Sequence, residues 1–146
     1  MKKHYLLSLF LISYIFCFGQ APKEVVIVNK NCPSLNTSSF MTDELTISDK
    51  EITEYLRTKC PKYVIKTAVE FDLIFLSNTQ LCCRRTAIVD PTQISKAQKD
   101  TLLKYILNFP NFNKIKIDKP KQLSLLVVFD ETHLLNCFFV NTKGTK

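Results

Sequence analysis

Residues 66–76, KTAVEFDLIFL, alternate with a period of two. Val69, Phe71, Leu73 and Phe75 fall on one side, and Ala68, Glu70, Asp72 and Ile74 on the other. This predicts a strand with one dry face and one wetter face. Ser77-Asn78-Thr79-Gln80 has turn chemistry, so LCCRRTAIV (81–89) is expected as the return strand. QLSLLVVF (122–129) is the most strand-like segment of the chain. DETH (130–133) reads as a turn and LLNCFFV (134–140) as a last strand. Near the N-terminus VVIV (25–28) reads as a short strand and NKNCPSLNTSS (29–39) as a loop.

Two segments carry helical signals. Ser48 and Glu51 form an S-x-x-E capping box, after which Ile52, Tyr55 and Leu56 share a face, and Cys60-Pro61 closes the helix because proline disfavours helix at the preceding residue. Ser95 and Gln98 form a second box. Ala97, Leu102, Ile106 and Phe109 give its buried stripe, helped by Leu103 and Tyr105, and Pro110 stops it. The order helix, strand, strand, helix, strand, strand predicts an α+β fold, a three- to four-stranded antiparallel sheet with two helices packed on one face. A right-handed crossover after the hairpin places strand 122–129 beside strand 66–76, giving spatial order 2-1-3 for these three strands.

A symmetric hairpin turn sets the register. Asp72 then faces Arg85 as a structural cross-strand pair, with Glu70 diagonal to it, a contact worth about 0.2–1 kcal/mol. In the same register Ile74 faces Cys83, Cys82 lies on the helix-covered face near Phe75, and Cys83 lies on the outer face. Arg84 is sent to the helix side, for which a regular strand offers no reason.

The first residues look like an export signal. Lys2 and Lys3 precede the apolar run Tyr5–Phe18, too short for a membrane span of roughly 20 residues, and Cys17 and Gly19 suit cleavage before Gln20. The division expected is therefore 1–19 signal peptide, 20–44 N-terminal strand and loop segment, and 45–146 α+β domain. Lipidation at Cys17 and a retained anchor stay open as alternatives. Loss of Lys2 and Lys3 lowers the formal charge from +7 to +5. The basic residues are scattered, and KIKIDKPKQ (114–122) alternates lysine with apolar residues as a solvated edge or loop would. The scattered charge argues against a nucleic-acid partner, and the signal-like N-terminus predicts a periplasmic or secreted address with no stable membrane span after processing.

Removal of Cys17 leaves Cys32, Cys60, Cys82, Cys83 and Cys137, an odd number in a compartment that permits disulfides. Cys32 and Cys60 flank the first helix and form the candidate disulfide. A zinc site from Cys82, Cys83, His133 and Cys137 fails on geometry, because strand neighbours point to opposite faces. A nucleophilic Cys83 has no histidine placed beside it. The chain has no G-x-G-x-x-G, Walker, H-E-x-x-H or G-x-S-x-G motif, and Gly144 is its only glycine beyond Gly19. The expectation is a non-enzyme without cofactor or metal.

VEFDLIFLSNTQLCCRRTAIVD (69–90), AQKDTLLKYILNFPNF (97–112) and KPKQLSLLVVF (119–129) together resemble the C-terminal domain of TonB-type proteins, the matching positions being Val69, Phe71, Pro110, Phe112, Lys119 and Pro120. The resemblance covers about residues 45–130. It implies the α-β-β-α-β layout and a protein partner, an outer-membrane receptor or other envelope protein, bound by strand addition. Without a membrane anchor and a Pro-rich linker it does not imply energy transduction. The partner-binding edge expected on this basis is Leu123, Leu125, Val127 and Phe129, or the 134–140 segment. The alternative, from another class, is a secreted cystatin-like ligand-binding or inhibitor domain that uses loops and the outer sheet face.

Overall fold

The computed structural model describes residues 24–33, 38–40, 44–60, 62–132 and 134–140. The elements are β1 (Val25–Val28), β2 (Ser38–Ser39), α1 (Asp49–Lys59), β3 (Ala68–Ser77), β4 (Gln80–Ile88), α2 (Lys96–Leu107), a 3-10 turn (Pro110–Lys114), β5 (Lys121–Phe129) and β6 (Leu135–Val140). The fold is α+β, with six strands rather than three or four. The spatial order β4-β3-β5 is the expected 2-1-3 arrangement, with β1 added outside β4 and both β6 and β2 beyond β5. All pairings are antiparallel except the two-residue β2 with β5. Residues 25–28 and 38–39 therefore belong to the same sheet as the rest, not to a separate N-terminal segment. The proposed leader, 1–19, lies outside the described residues.

Both capping boxes form. The Ser48 hydroxyl accepts from the Glu51 amide and the Glu51 carboxylate accepts from the Ser48 amide; Ser95 and Gln98 repeat the arrangement. α1 packs on β6 and α2 on β4. Ile52 and Leu56 of α1 and Leu102 and Ile106 of α2 are buried against Val69, Phe71, Leu73 and Phe75 of β3 and Leu123, Leu125, Val127 and Phe129 of β5. Ala97 is exposed, so the α2 stripe begins later than the pattern suggests. Edge-on ring contacts link Phe40, Phe75, Phe112 and Phe109 in a chain at 5.1–5.3 Å. Lys121, expected in a solvated run, is instead buried beneath this chain. It pairs with Glu44 and Asp118 and lies 5.4 Å from the Phe40 ring.

The hairpin carries two compensating irregularities. Ser77 pairs with Gln80 and Asp72 with Arg85, as a regular hairpin requires, but between them Leu73 faces Cys83, Ile74 faces Cys82 and Phe75 faces Leu81. Leu76 is the extra residue on β3 and Arg84 the extra residue on β4. The expected Asp72–Arg85 pair is therefore present, while Cys82 and Cys83 exchange faces: Cys83 is buried in the core and Cys82 lies on the outer face beside Ile74. The cause is electrostatic. A regular strand would drive the Arg84 guanidinium into an apolar core, at a large desolvation cost. A bulge removes Arg84 from the alternation and admits the small Cys83 instead.

With Cys82 on the outer face, Cys32 reaches it. The two are bonded, with Cα atoms 5.8 Å apart, and Cys60 is free. The expected Cys32–Cys60 bridge is thus replaced by one that clamps the segment after β1 to β4. Asn29 reinforces the clamp, its amide donating to the Arg84 carbonyl at 2.8 Å and its side chain to the Cys83 carbonyl at 3.2 Å. The bond closes a loop of sequence separation 50, worth about 4 kcal/mol on the loop-entropy account. Replacing both Cys32 and Cys82 by alanine is expected to lower the urea-unfolding free energy by about that amount, and a reductant should then have no further effect. A double variant as stable as the parent would refute the clamp.

Candidate functional site

The expected partner edge, β5, is not an edge. Its backbone pairs with β3 on one side, and on the other with β6 over Ser124–Phe129 and β2 over Lys121–Gln122. Leu123, Leu125, Val127 and Phe129 are core side chains. They cannot receive an added strand, because the hydrogen-bonding groups such a strand needs are already used.

β6 is closed as well, by α1. Asp49 accepts from the Phe139 amide at 2.9 Å, Thr53 accepts from the Cys137 amide at 2.9 Å and donates to the Cys137 carbonyl, and Arg57 Nε donates to the Leu135 carbonyl at 2.7 Å. Arg57 also holds Asn136 Oδ1 at 2.8 Å. The two repeats match: four helical residues rise about 6.0 Å and two strand residues about 6.8 Å. Side chains at i, i+4 and i+8 of α1 therefore meet the outward groups at i, i+2 and i+4 of β6. Asp49, Thr53 and Arg57 substitute for a neighbouring strand.

The opposite end of the sheet is formed by β1. β1 pairs only with β4 among the described residues. Val26, Ile27 and Val28 are 48%, 43% and 60% exposed, an apolar β-branched run on a sheet edge of the kind that templates pairing with another chain. The direction of its free groups follows from the ladder. The Asn29 amide bonds β4, so by strand alternation the N–H and C=O groups of Val25 and Ile27 face β4 while those of Val26 and Val28 face outward. The VVIV run reads as a strand from sequence, without a surface role assigned to it. Its signal was present in four consecutive β-branched residues with no polar alternation.

The outer sheet face continues from this edge. One cross-strand row runs Val26, Ala87, Glu70, Leu126, Phe138, and the next Val28, Arg85, Asp72, Ser124, Val140. Arg85 lies 3.4 Å from Asp72, 3.7 Å from Glu70 and 3.9 Å from Glu24. The second Asp72 oxygen accepts from the Ser124 hydroxyl at 2.7 Å. The centre of the face is thus an internally satisfied polar cluster, and its two ends are apolar.

Among the described residues, the free thiols Cys60, Cys83 and Cys137 are partly or fully buried. Burial pushes the Cys83 thiol up, against smaller opposing contributions from its contacts with Thr86 and the Arg85 carbonyl. Burial likewise pushes Cys137 up to about 12 and Cys60 up to about 11. A thiolate nucleophile needs the reverse shift. Cys82 is spent in the disulfide, and His133 lies outside the described residues. Among the described residues no group of three His, Cys, Asp or Glu is placed to hold a metal ion. No described helix is long and apolar enough to cross a membrane. The depression lined by Tyr55, Thr58, Phe109 and Pro110 and the one lined by Glu44, Lys114 and Lys116 lie at the surface. The buried faces of the helices and the inner face of the sheet meet in one apolar cluster.

Two measurements test these assignments. Thr53→Val keeps the shape but leaves the Cys137 amide and carbonyl unsatisfied, and should cost about 1–3 kcal/mol; a neutral result would show that the helix does not seal the strand. The raised Cys137 pKa stabilises the fold fully below the ordinary thiol value of 9.0, because the unfolded chain ionises above that pH while the folded chain keeps the proton. This contribution is lost as pH rises from 9 toward 12. Urea stability should therefore fall more steeply over that window in the parent than in Cys137→Ala, and parallel curves would show that Cys137 is not the group responsible.

No protein-family model, curated protein or solved structure matches this chain.

Proposed function

We propose that the protein is an exported interaction module that binds a protein partner by adding an extended segment of that partner to the β1 edge. The carrying observation is the contrast between the two ends of the sheet. One end is sealed by helix side chains, and the other leaves Val26, Ile27 and Val28 exposed with outward backbone groups. Strand addition supplies main-chain hydrogen bonds for affinity and side-chain contacts for selectivity. The row of residues behind the edge, from Val26 and Val28 to Arg85 and Glu70, is where such a segment would be read. The TonB C-terminal resemblance supports the same class of activity, an envelope-facing module for a receptor or another envelope protein. The edge proposed here, β1, lies at the opposite end of the sheet from the β5 edge that the resemblance implies.

The outward geometry of β1 gives a selective test. Proline at position 28 removes an amide that β4 does not use, whereas proline at position 27 removes one that it does. Val28→Pro should therefore keep the urea stability of the parent to within about 0.5 kcal/mol, and Ile27→Pro should lower it clearly. The envelope fraction of the native host, passed over immobilised protein, should yield a partner retained by the parent and lost from Val28→Pro. Equal retention by both overturns the β1 site. Export is tested by intact mass from the same host, which is expected to begin at Gln20; a mass that includes Met1 refutes cleavage.

A further inference from the structure

The β1 edge has a defined hydrogen-bond phase, and that phase restricts which strands fit it. An antiparallel partner must present its own outward residues opposite Val26 and Val28. β1 itself meets this condition. In a two-fold arrangement with Ile27 opposite Ile27 of a second copy, Val26 lies opposite Val28 of that copy and Val28 opposite its Val26. All four residues then exchange outward N–H and C=O groups. Shifting the pairing by one residue would set outward groups against inward ones and is excluded. Shifting it further places Val28 opposite Glu24, or Val26 opposite Lys30, and loses the match of apolar with apolar.

The flanking charges select the same register. Glu24 precedes β1 and Lys30 follows it at the first turn, and both are exposed. With Ile27 on the two-fold axis, Glu24 of each copy comes toward Lys30 of the other, which stands at the start of the Asn29–Cys32 turn. Glu24 is free to turn, since its contact with Arg85 is long, at 3.9 Å, and its side chain is 59% exposed. The pairing would cover the three most open positions of the edge and join two sheets into one. A C2 interface of this kind is self-complementary and closed, so it does not propagate into a fibre.

We infer that the edge strand β1 pairs antiparallel with β1 of a second copy, centred on Ile27, to form a two-fold dimer. This rests on the reading of β1 as the binding edge and names the occupant when no other strand is present. A heterologous partner would have to displace it.

Sedimentation of the purified mature chain over a concentration series tests the inference. The parent should rise toward twice the monomer mass. Val28→Pro should remain monomeric with parental urea stability. Glu24→Lys should weaken the dimer roughly tenfold, since two attractive pairs become repulsive, and adding Lys30→Glu should restore it. A parent that stays monomeric at every concentration overturns self-pairing, as does a dimer indifferent to both substitutions. Neither result touches the envelope-capture experiment: if Val28→Pro still loses its envelope partner, the β1 edge stands and only the second copy falls as occupant.

Discussion

Moving a guanidinium from water into a core of phenylalanine, leucine and isoleucine carries a large desolvation cost, and the bulge that takes Arg84 out of the strand alternation avoids it. The bulge that releases Arg84 exchanges the faces of Cys82 and Cys83. Cys83 becomes a core residue, and Cys82 becomes reachable from the segment after β1. The disulfide with Cys32, the Asn29 hydrogen bonds and the attachment of β1 to β4 all depend on that exchange. The second bulge, at Leu76, restores the phase before the turn, so Ser77 and Gln80 still close the hairpin. One charged side chain thus fixes the local geometry of the strand from which the exposed edge is hung.

The two ends of the sheet solve the same physical problem differently. An outer strand carries unpaired amides and carbonyls that must be satisfied. At β6 the solution is internal: an acid, a hydroxyl and a guanidinium on successive turns of α1 each take the group their chemistry suits. The acid accepts an amide, the guanidinium donates to a carbonyl, and threonine does both. At β1 the groups face outward beside apolar side chains. Among the described residues the outward groups of β1 have no internal partner of this kind.

Much of this was legible in the sequence. Both capping boxes, the dry face of β3, the turn at 77–80 and the Asp72–Arg85 pair follow from local rules that read a few residues at a time. The errors share a different cause. Regular alternation assigns every residue a face, so it placed Cys83 outside and Arg84 inside; the arginine with no reason to be there was the mark of a bulge. The Cys32–Cys60 pairing rested on the two residues flanking the first helix, a spacing that says nothing about where Cys32 lies relative to β4. The edge assignment failed because the pattern of β5 shows a strand buried on one side and says nothing about what lies in line with it. The stripe Asp49, Thr53, Arg57 could be seen along α1, but its meaning depends on β6, which is 84 residues away for the Thr53–Cys137 contact. The fold class was legible, though not the short β2, since two serines in a polar run carry no strand signal.

The Cys32–Cys82 bond also orders events in time. Thiols stay reduced where glutathione and thioredoxin act, and join only where the surroundings are oxidising. Before that point the short β1 hangs on a ladder of four residues and two contacts from Asn29. Oxidation fixes the strand against β4 and with it the direction in which the amides of Val26 and Val28 point. The bond ties the hold of β1 on β4 to the redox state of the surroundings.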